Sequence, residues 1–267
     1  MSSSTPASVD LRPFVVTGCA RSGTTYMAAL LSGMGLRVGH EVVFGPRTRR
    51  FAGWQGQHGD SSWLAAPFLD QIDDALVFHQ VRHPLKVVRS LVGVRFFADR
   101  GQVFLQGDDA YTRAKWKVRE ALMAAGHVER SAKGPRPHKV YRAYLDTYAP
   151  QVWQHPTEAE RALDYWMTWT KLVTERARPE YYDVHPVESL TPEFVAEMLW
   201  RVGLPVSDGH VALAMDKVPQ DLNTRKVASL EWRDIPDGPL KRAAAAYAEE
   251  LGYVPADPSV RPGATSR

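Results

Sequence analysis

One cysteine, Cys19, is all that this chain of 267 residues has, so no internal disulfide can form and a reducing compartment, the cytoplasm, is the expected setting. Charge of one sign is lacking too. The 33 basic residues are nearly matched by 30 acidic ones and no basic tail is present, which removes the electrostatic case for a nucleic-acid partner. No apolar run approaches the thickness of a bilayer. The most apolar stretch, 27–36, is too short for a membrane span. Residues 1–10 are polar and Ser-rich, without a basic start or an apolar run, and are expected to form a disordered tail. Residues 257–267 are expected to be a second flexible tail. No internal repeat is present. At 44% hydrophobic residues, the stretch 11–256 is long enough to bury a full core as a single domain.

What the chain does have is a glycine-framed loop, Gly18-Cys19-Ala20-Arg21-Ser22-Gly23-Thr24-Thr25, between an apolar run, 13–17, and a helix-like run. Glycines let backbone approach an oxyanion closely, successive N–H groups point inward, and the helix N-terminus adds positive potential. A phosphate or sulfate ester is the ligand such a loop suits. A nucleoside-triphosphatase loop would carry lysine where Thr24 stands, to reach the terminal phosphates. Here the cation, Arg21, sits inside the loop. Cys19 shares that electropositive setting, but nothing adjacent resembles a base for it, so it is expected to line the loop.

A second strand, 75–81, reads as buried and parallel and ends on Arg82 rather than on an aspartate that could hold magnesium. Pro84 suits the first turn of a helix over 85–94, which carries Ser90. Arg82 therefore falls at the carboxyl end of a strand, where open α/β sheets bind ligands, and with Ser90 it makes a candidate grip for a second phosphate.

The loop Gly18–Thr25, together with Val81-Arg82-His83-Pro84 and Arg89-Ser90, resembles the P-loop sulfotransferase family, which uses 3′-phosphoadenosine 5′-phosphosulfate as donor. The resemblance covers about 13–94 and, more loosely, 166–190. It implies that Arg21, Ser22, Gly23, Thr24 and Thr25 hold the 5′-phosphosulfate, and that Arg82 and Ser90 hold the 3′-phosphate. Arg21 replaces the lysine of many cytosolic members, as in the bacterial, carbohydrate and protein-tyrosine branches. Its high pKa suits charge stabilisation rather than proton donation. Tyr26 stands where the family stacks an aromatic on adenine; packing in the helix core is the alternative. Arg225, in a late basic loop with Lys217 and Lys226, is a possible second clamp on the donor, against a solvated basic loop.

Glu41 is the candidate general base, since it follows the short second strand near the carboxyl edge and the resembled bacterial and tyrosine branches carry a glutamate there. The alternative is a structural carboxylate paired with Arg47, Arg49 or Arg50. His40 and His58 compete for the role of base, and His83 is expected only to line the turn after its strand. Trp166 and Trp169 have helical spacing and are expected to be core.

The pattern of elements predicts an α/β chain: a P-loop-like three-layer fold with a central parallel β-sheet flanked by helices. Strands are expected at 14–17, 36–38, 75–81 and 182–185. Helices are expected at 23–34, 61–73, 85–94, 110–125, 157–176, 192–202 and 240–251, with an irregular stretch at 97–109 and a break at 131–138. Residues 95–157 are expected to be a helical insertion that serves as a lid over the acceptor.

The expected function is in-line sulfuryl transfer to a hydroxyl of a small-molecule, carbohydrate or lipid acceptor. It needs alignment, charge stabilisation and a base. No metal is expected, because a sulfuryl group carries less charge than a phosphoryl group. The alternatives are a P-loop kinase of a small molecule and a non-catalytic nucleotide-binding protein.

Overall fold

Phe14-Val15-Val16-Thr17 and Leu76-Val77-Phe78-His79-Gln80-Val81 are buried at every position, so each strand must be covered on both faces. The computed structural model describes residues 11–97, 117–118, 121, 137–219 and 229–253. These two runs are β1 (Phe14–Thr17) and β4 (Leu76–Val81), paired in parallel with Phe14 opposite Leu76. With β2 (Val38–His40), β3 (Gly59–Ser61) and β5 (Tyr182–Pro186) they form a five-stranded, wholly parallel sheet in the order β2-β3-β1-β4-β5.

Side chains alternate along each strand, so the sheet feeds two separate cores. Phe14, Val16, Leu76 and Phe78 point into one, beneath α1 (Thr24–Gly33), α5 (Pro192–Val202) and α6 (Asp208–Lys217). Val15 and Val77 point into the other, beneath α2 (Pro84–Gly93), α3 (Pro137–Tyr148), α4 (Glu158–Arg176) and α7 (Pro239–Glu250). The result is three layers. α4 is the main pillar of the second face, with Tyr165, Trp166 and Trp169 all fully buried. Thr157 and Glu160 close a reciprocal cap at its start, and that pairing is readable from their three-residue spacing.

Several boundaries differ from the sequence expectation. β2 starts at Val38 rather than 36, because the Leu36 amide still donates to the Leu31 carbonyl, 3.2 Å away, and closes the end of α1. A helix over 61–73 is replaced by the strand β3 and a 3₁₀ helix, Trp63–Gln71. Pro67 lies inside the latter, and Ser62 caps it by accepting from the Leu64 amide. β3 escapes pattern reading because Gly59, Asp60 and Ser61 are not strand formers, yet all three are buried. α6 was not expected either. Val211 is its one buried residue, so it offers almost no apolar stripe to read.

Of the stretch expected as an insertion, α3 is helical from Pro137, inside the expected break at 131–138, and it packs Tyr141, Tyr144 and Leu145 into the main core. The irregular 97–109, nearly all of the expected helix 110–125, and both tails lie outside the described residues, apart from Phe97, Lys117, Val118 and Ala121. Among the described residues no helix is long and apolar enough to cross a membrane.

Candidate functional site

From β1 the chain leaves toward β2, and from β4 it leaves toward β5. The loops after β1 and β4 therefore diverge, and a crevice opens between them at the carboxyl edge of the sheet. The loop Gly18–Thr25 fills one side of it. Arg21 and Gly23 both take left-handed backbone, with φ of 75° and 92°. A Cβ on Gly18 would lie 2.1 Å from the carbonyl oxygen of Gln80, and one on Gly23 would lie 2.8 Å from the Gln80 side-chain nitrogen. Gln80 of β4 thus crowds both ends of the loop, through its backbone at Gly18 and through its side chain at Gly23.

Part of the loop is spent on holding itself. Ser22 is fully buried; its hydroxyl and its amide both donate to the Cys19 carbonyl, at 2.6 and 3.1 Å. The Ala20 amide donates to the Tyr165 hydroxyl of α4 at 2.8 Å. Cys19 is buried, and burial pushes its thiol up to about 12, which removes the thiolate that nucleophilic chemistry needs.

The opposite wall comes from β4 and α2. Arg21 Nε donates to Ser90 Oγ at 2.8 Å, and Arg82 donates to the Arg21 backbone carbonyl at 2.7 Å. Arg21, Arg82 and Ser90, from three separate parts of the chain, thus meet in one place. Arg82 Nε is buried without a hydrogen-bond partner, as is Arg89 Nε one residue before Ser90. Arg21 and Arg82 bring two guanidinium cations to the carboxyl edge of the sheet beside the Ser90 hydroxyl, and such a donor set suits the anionic oxygens of a phosphate. The Trp166 indole donates to the Arg82 carbonyl at 3.1 Å and fixes the strand end from below. His83 caps α2 by accepting from the Leu85 amide at Nδ1, 3.2 Å away, a structural role at the turn.

Thr24 and Thr25 open α1 toward β2. Their hydroxyls lie 3.4 and 3.1 Å from His40 Nε2, and Ser61 of β3 donates to the Thr24 carbonyl at 2.7 Å. Glu41 follows at once, in left-handed backbone with φ of 60° and nearly buried. Asp60 pins the chain after it by accepting from the Val42 and Phe44 amides at 3.1 and 3.0 Å. Burial pushes Asp60 up to about 7, against the lowering by those amides. The Glu41 carboxylate accepts from the Trp63 indole at 3.0 Å and from the Tyr141 hydroxyl, and His40 Nε2 stands 3.8 Å from it. Trp63 and Tyr141 stack, with ring centroids 5.8 Å apart.

Other expected residues fall elsewhere. His58 stands at the amino edge of the sheet, where its carbonyl accepts from Phe14 and its Nδ1 accepts from the Arg37 amide. That is a strand length, roughly 10 Å, from the crevice, and it removes His58 as a base. Tyr26 packs against the core that α1 shares with α5 and α6, with its hydroxyl buried and unpartnered. Arg225 and Lys226 lie outside the described residues.

Sequence reading missed Trp63, Gln80, Tyr141 and Tyr165, which shape the site from behind. None carried a local signal: Tyr141 is 100 positions from Glu41, and Tyr165 is 145 from Ala20. The chain is an α/β protein with a crevice at the switch point of a parallel sheet. No family model and no curated protein matches it.

Proposed function

We propose that this chain is a sulfotransferase with a P-loop-like fold, moving a sulfuryl group from 3′-phosphoadenosine 5′-phosphosulfate to a hydroxyl of a small-molecule, carbohydrate or lipid acceptor. The observation that carries the reading is the meeting of Arg21, Arg82 and Ser90 at the switch point. In this reading Arg82 and Ser90 hold the 3′-phosphate, and the loop from Arg21 to Thr25 holds the 5′-phosphosulfate. Because Arg21 Nε is tied to Ser90, one guanidinium links the two anion sites. Threonine in the lysine position and Arg82 at the end of β4 argue against a kinase, which must grip terminal phosphates and magnesium.

The reaction is an in-line displacement. The acceptor oxygen forms a bond to sulfur as its proton passes to the Glu41 carboxylate. The bond from sulfur to the bridging oxygen breaks, and adenosine 3′,5′-bisphosphate leaves with the electron pair, its charge stabilised by Arg21. Glu41 suits the role of base by position: it follows β2 at the same sheet edge as the loop, with His40 between it and the loop hydroxyls. Arg225 is proposed to assist over the donor, while Tyr26, packed against the core beside α6, supports α1 rather than the adenine. The lone, buried cysteine suits work in the cytoplasm.

Calorimetry with two nucleotides tests the assignment. Adenosine 3′,5′-bisphosphate is expected to bind at least about tenfold more tightly than AMP, since charge-assisted bonds to the 3′-phosphate contribute about 1.5–3 kcal/mol. Arg82→Ala is expected to erase most of the difference. Equal affinity of the unaltered protein for both nucleotides overturns the reading.

A further inference from the structure

Glu41 is enclosed by its neighbour His40 and by groups from two distant parts of the chain. Trp63 reaches it from the 3₁₀ helix after β3, His40 from β2, and Tyr141 from α3. Tyr141 is 1% exposed and stacks face to face on Trp63, so the phenol has one orientation available. Burial and the adjacent Glu41 charge push its hydroxyl well above its ordinary value, and it therefore stays protonated and donates. On the other side, His40 Nε2 is within 3.1 Å of the Thr25 hydroxyl and 3.8 Å of Glu41 Oε1. The carboxylate is thus the junction between the donor loop and α3, a helix about 100 residues further along the chain.

We propose that Tyr141 is a positioning residue for Glu41: its hydroxyl fixes the carboxylate against Trp63, aimed to take the acceptor proton. The proposal rests on the reading of Glu41 as base. A carboxylate held by one donor alone can turn about its Cγ–Cδ bond, and a base misaligned with the acceptor hydroxyl loses most of its effect. Two neutral donors, Trp63 on Oε1 and Tyr141 on Oε2, hold both oxygens and oppose that rotation. Tyr141 itself exchanges no proton with substrate. Its part is to keep the base aimed.

Sulfuryl transfer to water, followed as release of bisphosphate from the donor, tests this without the natural acceptor. Tyr141→Phe is expected to lower kcat by about tenfold while KM for the donor and the calorimetric affinity for the bisphosphate stay unchanged, because the phenyl ring still fills the core and only the hydroxyl that aims the carboxylate is lost. The double variant of Tyr141→Phe with Glu41→Gln is expected to be no slower than Glu41→Gln alone, since Tyr141 acts only through Glu41. An unchanged kcat in Tyr141→Phe, or a further loss of about tenfold when it is added to Glu41→Gln, overturns the positioning role while Glu41→Gln remains impaired. Full transfer activity in Glu41→Gln overturns the base itself, and the proposal with it.

Discussion

The two sides of the crevice are built by opposite means. The side proposed to hold the donor is made of loop backbone and partly exposed cations that stand within a few residues of the ends of β1 and β4, joined by short side-chain to loop contacts. The side proposed to hold the base is a nearly buried carboxylate, and its partners Trp63 and Tyr141 come from aromatic core packed around α4. The difference matters for chemistry. An anion that must come and go each turnover needs donors that solvent can reach, whereas a carboxylate that must hold one geometry gains from enclosure by groups that cannot rotate.

Breaking the base side should have the largest effect. Glu41→Gln keeps size but removes the proton acceptor, so transfer to a weakly acidic alcohol is expected to fall by roughly 10²–10⁴-fold with bisphosphate affinity unchanged. The loss should shrink for an acidic phenol that ionises unaided. Rates with one alcohol and one activated phenol, each over a pH series, check both points. Full activity on the alcohol would move attention to His40, which also stands at this edge.

On the donor side the effect should be smaller and of a different kind. Arg21→Ala removes charge stabilisation at the bridging oxygen, a loss that typically raises the barrier by about 2.7–4 kcal/mol. Bisphosphate affinity should change much less, because Arg82 remains. A single-turnover rate set against calorimetry separates the two; a normal rate would show that the loop backbone is sufficient.

The smallest effect concerns the sheet beneath both sides. His185 is buried on β5 with both ring nitrogens unpartnered, against Phe194 at 4.5 Å, and burial pulls its pKa from 6.5 down to about 4. The folded state therefore refuses a proton that the unfolded chain accepts between those values. This group's contribution to stability is intact above 6.5 and is lost at about 1.4 kcal/mol per pH unit as pH falls toward 4. His185→Leu should remove that slope, so urea melts of the two proteins should diverge as pH falls from 7 to 5. Parallel curves would show that the imidazole is hydrated in the fold.

How much of this was legible follows the same division. β1, α5 and the span of α4 stand where the apolar pattern put them, because that signal is local. The residues Arg21, Arg82 and Ser90 could be singled out for the same reason: strand ends and helix starts are written in short stretches of sequence. Trp63, Tyr141 and Tyr165 could not. Their roles depend on which aromatic faces which loop after the chain has folded, and an aromatic at helical spacing reads as core whether or not its one polar atom holds a site together. β3 was hidden for a related reason. Asp60 is tolerated in a central strand only because two amides of the loop beyond β2 come to meet it.

The placement of Gln80 also orders the substitutions this lineage can accept. At position 18 the obstacle is the Gln80 backbone carbonyl, which every residue type carries, so no change elsewhere on β4 opens that site to a side chain. At position 23 the obstacle is the Gln80 side-chain amide, together with left-handed backbone that asparagine tolerates better than most residues. Asparagine at 23 therefore becomes reachable once the Gln80 side chain turns aside or shrinks and Val187, 3.1 Å from the same Cβ, gives way. Among descendants of this chain, position 23 should vary more readily than position 18.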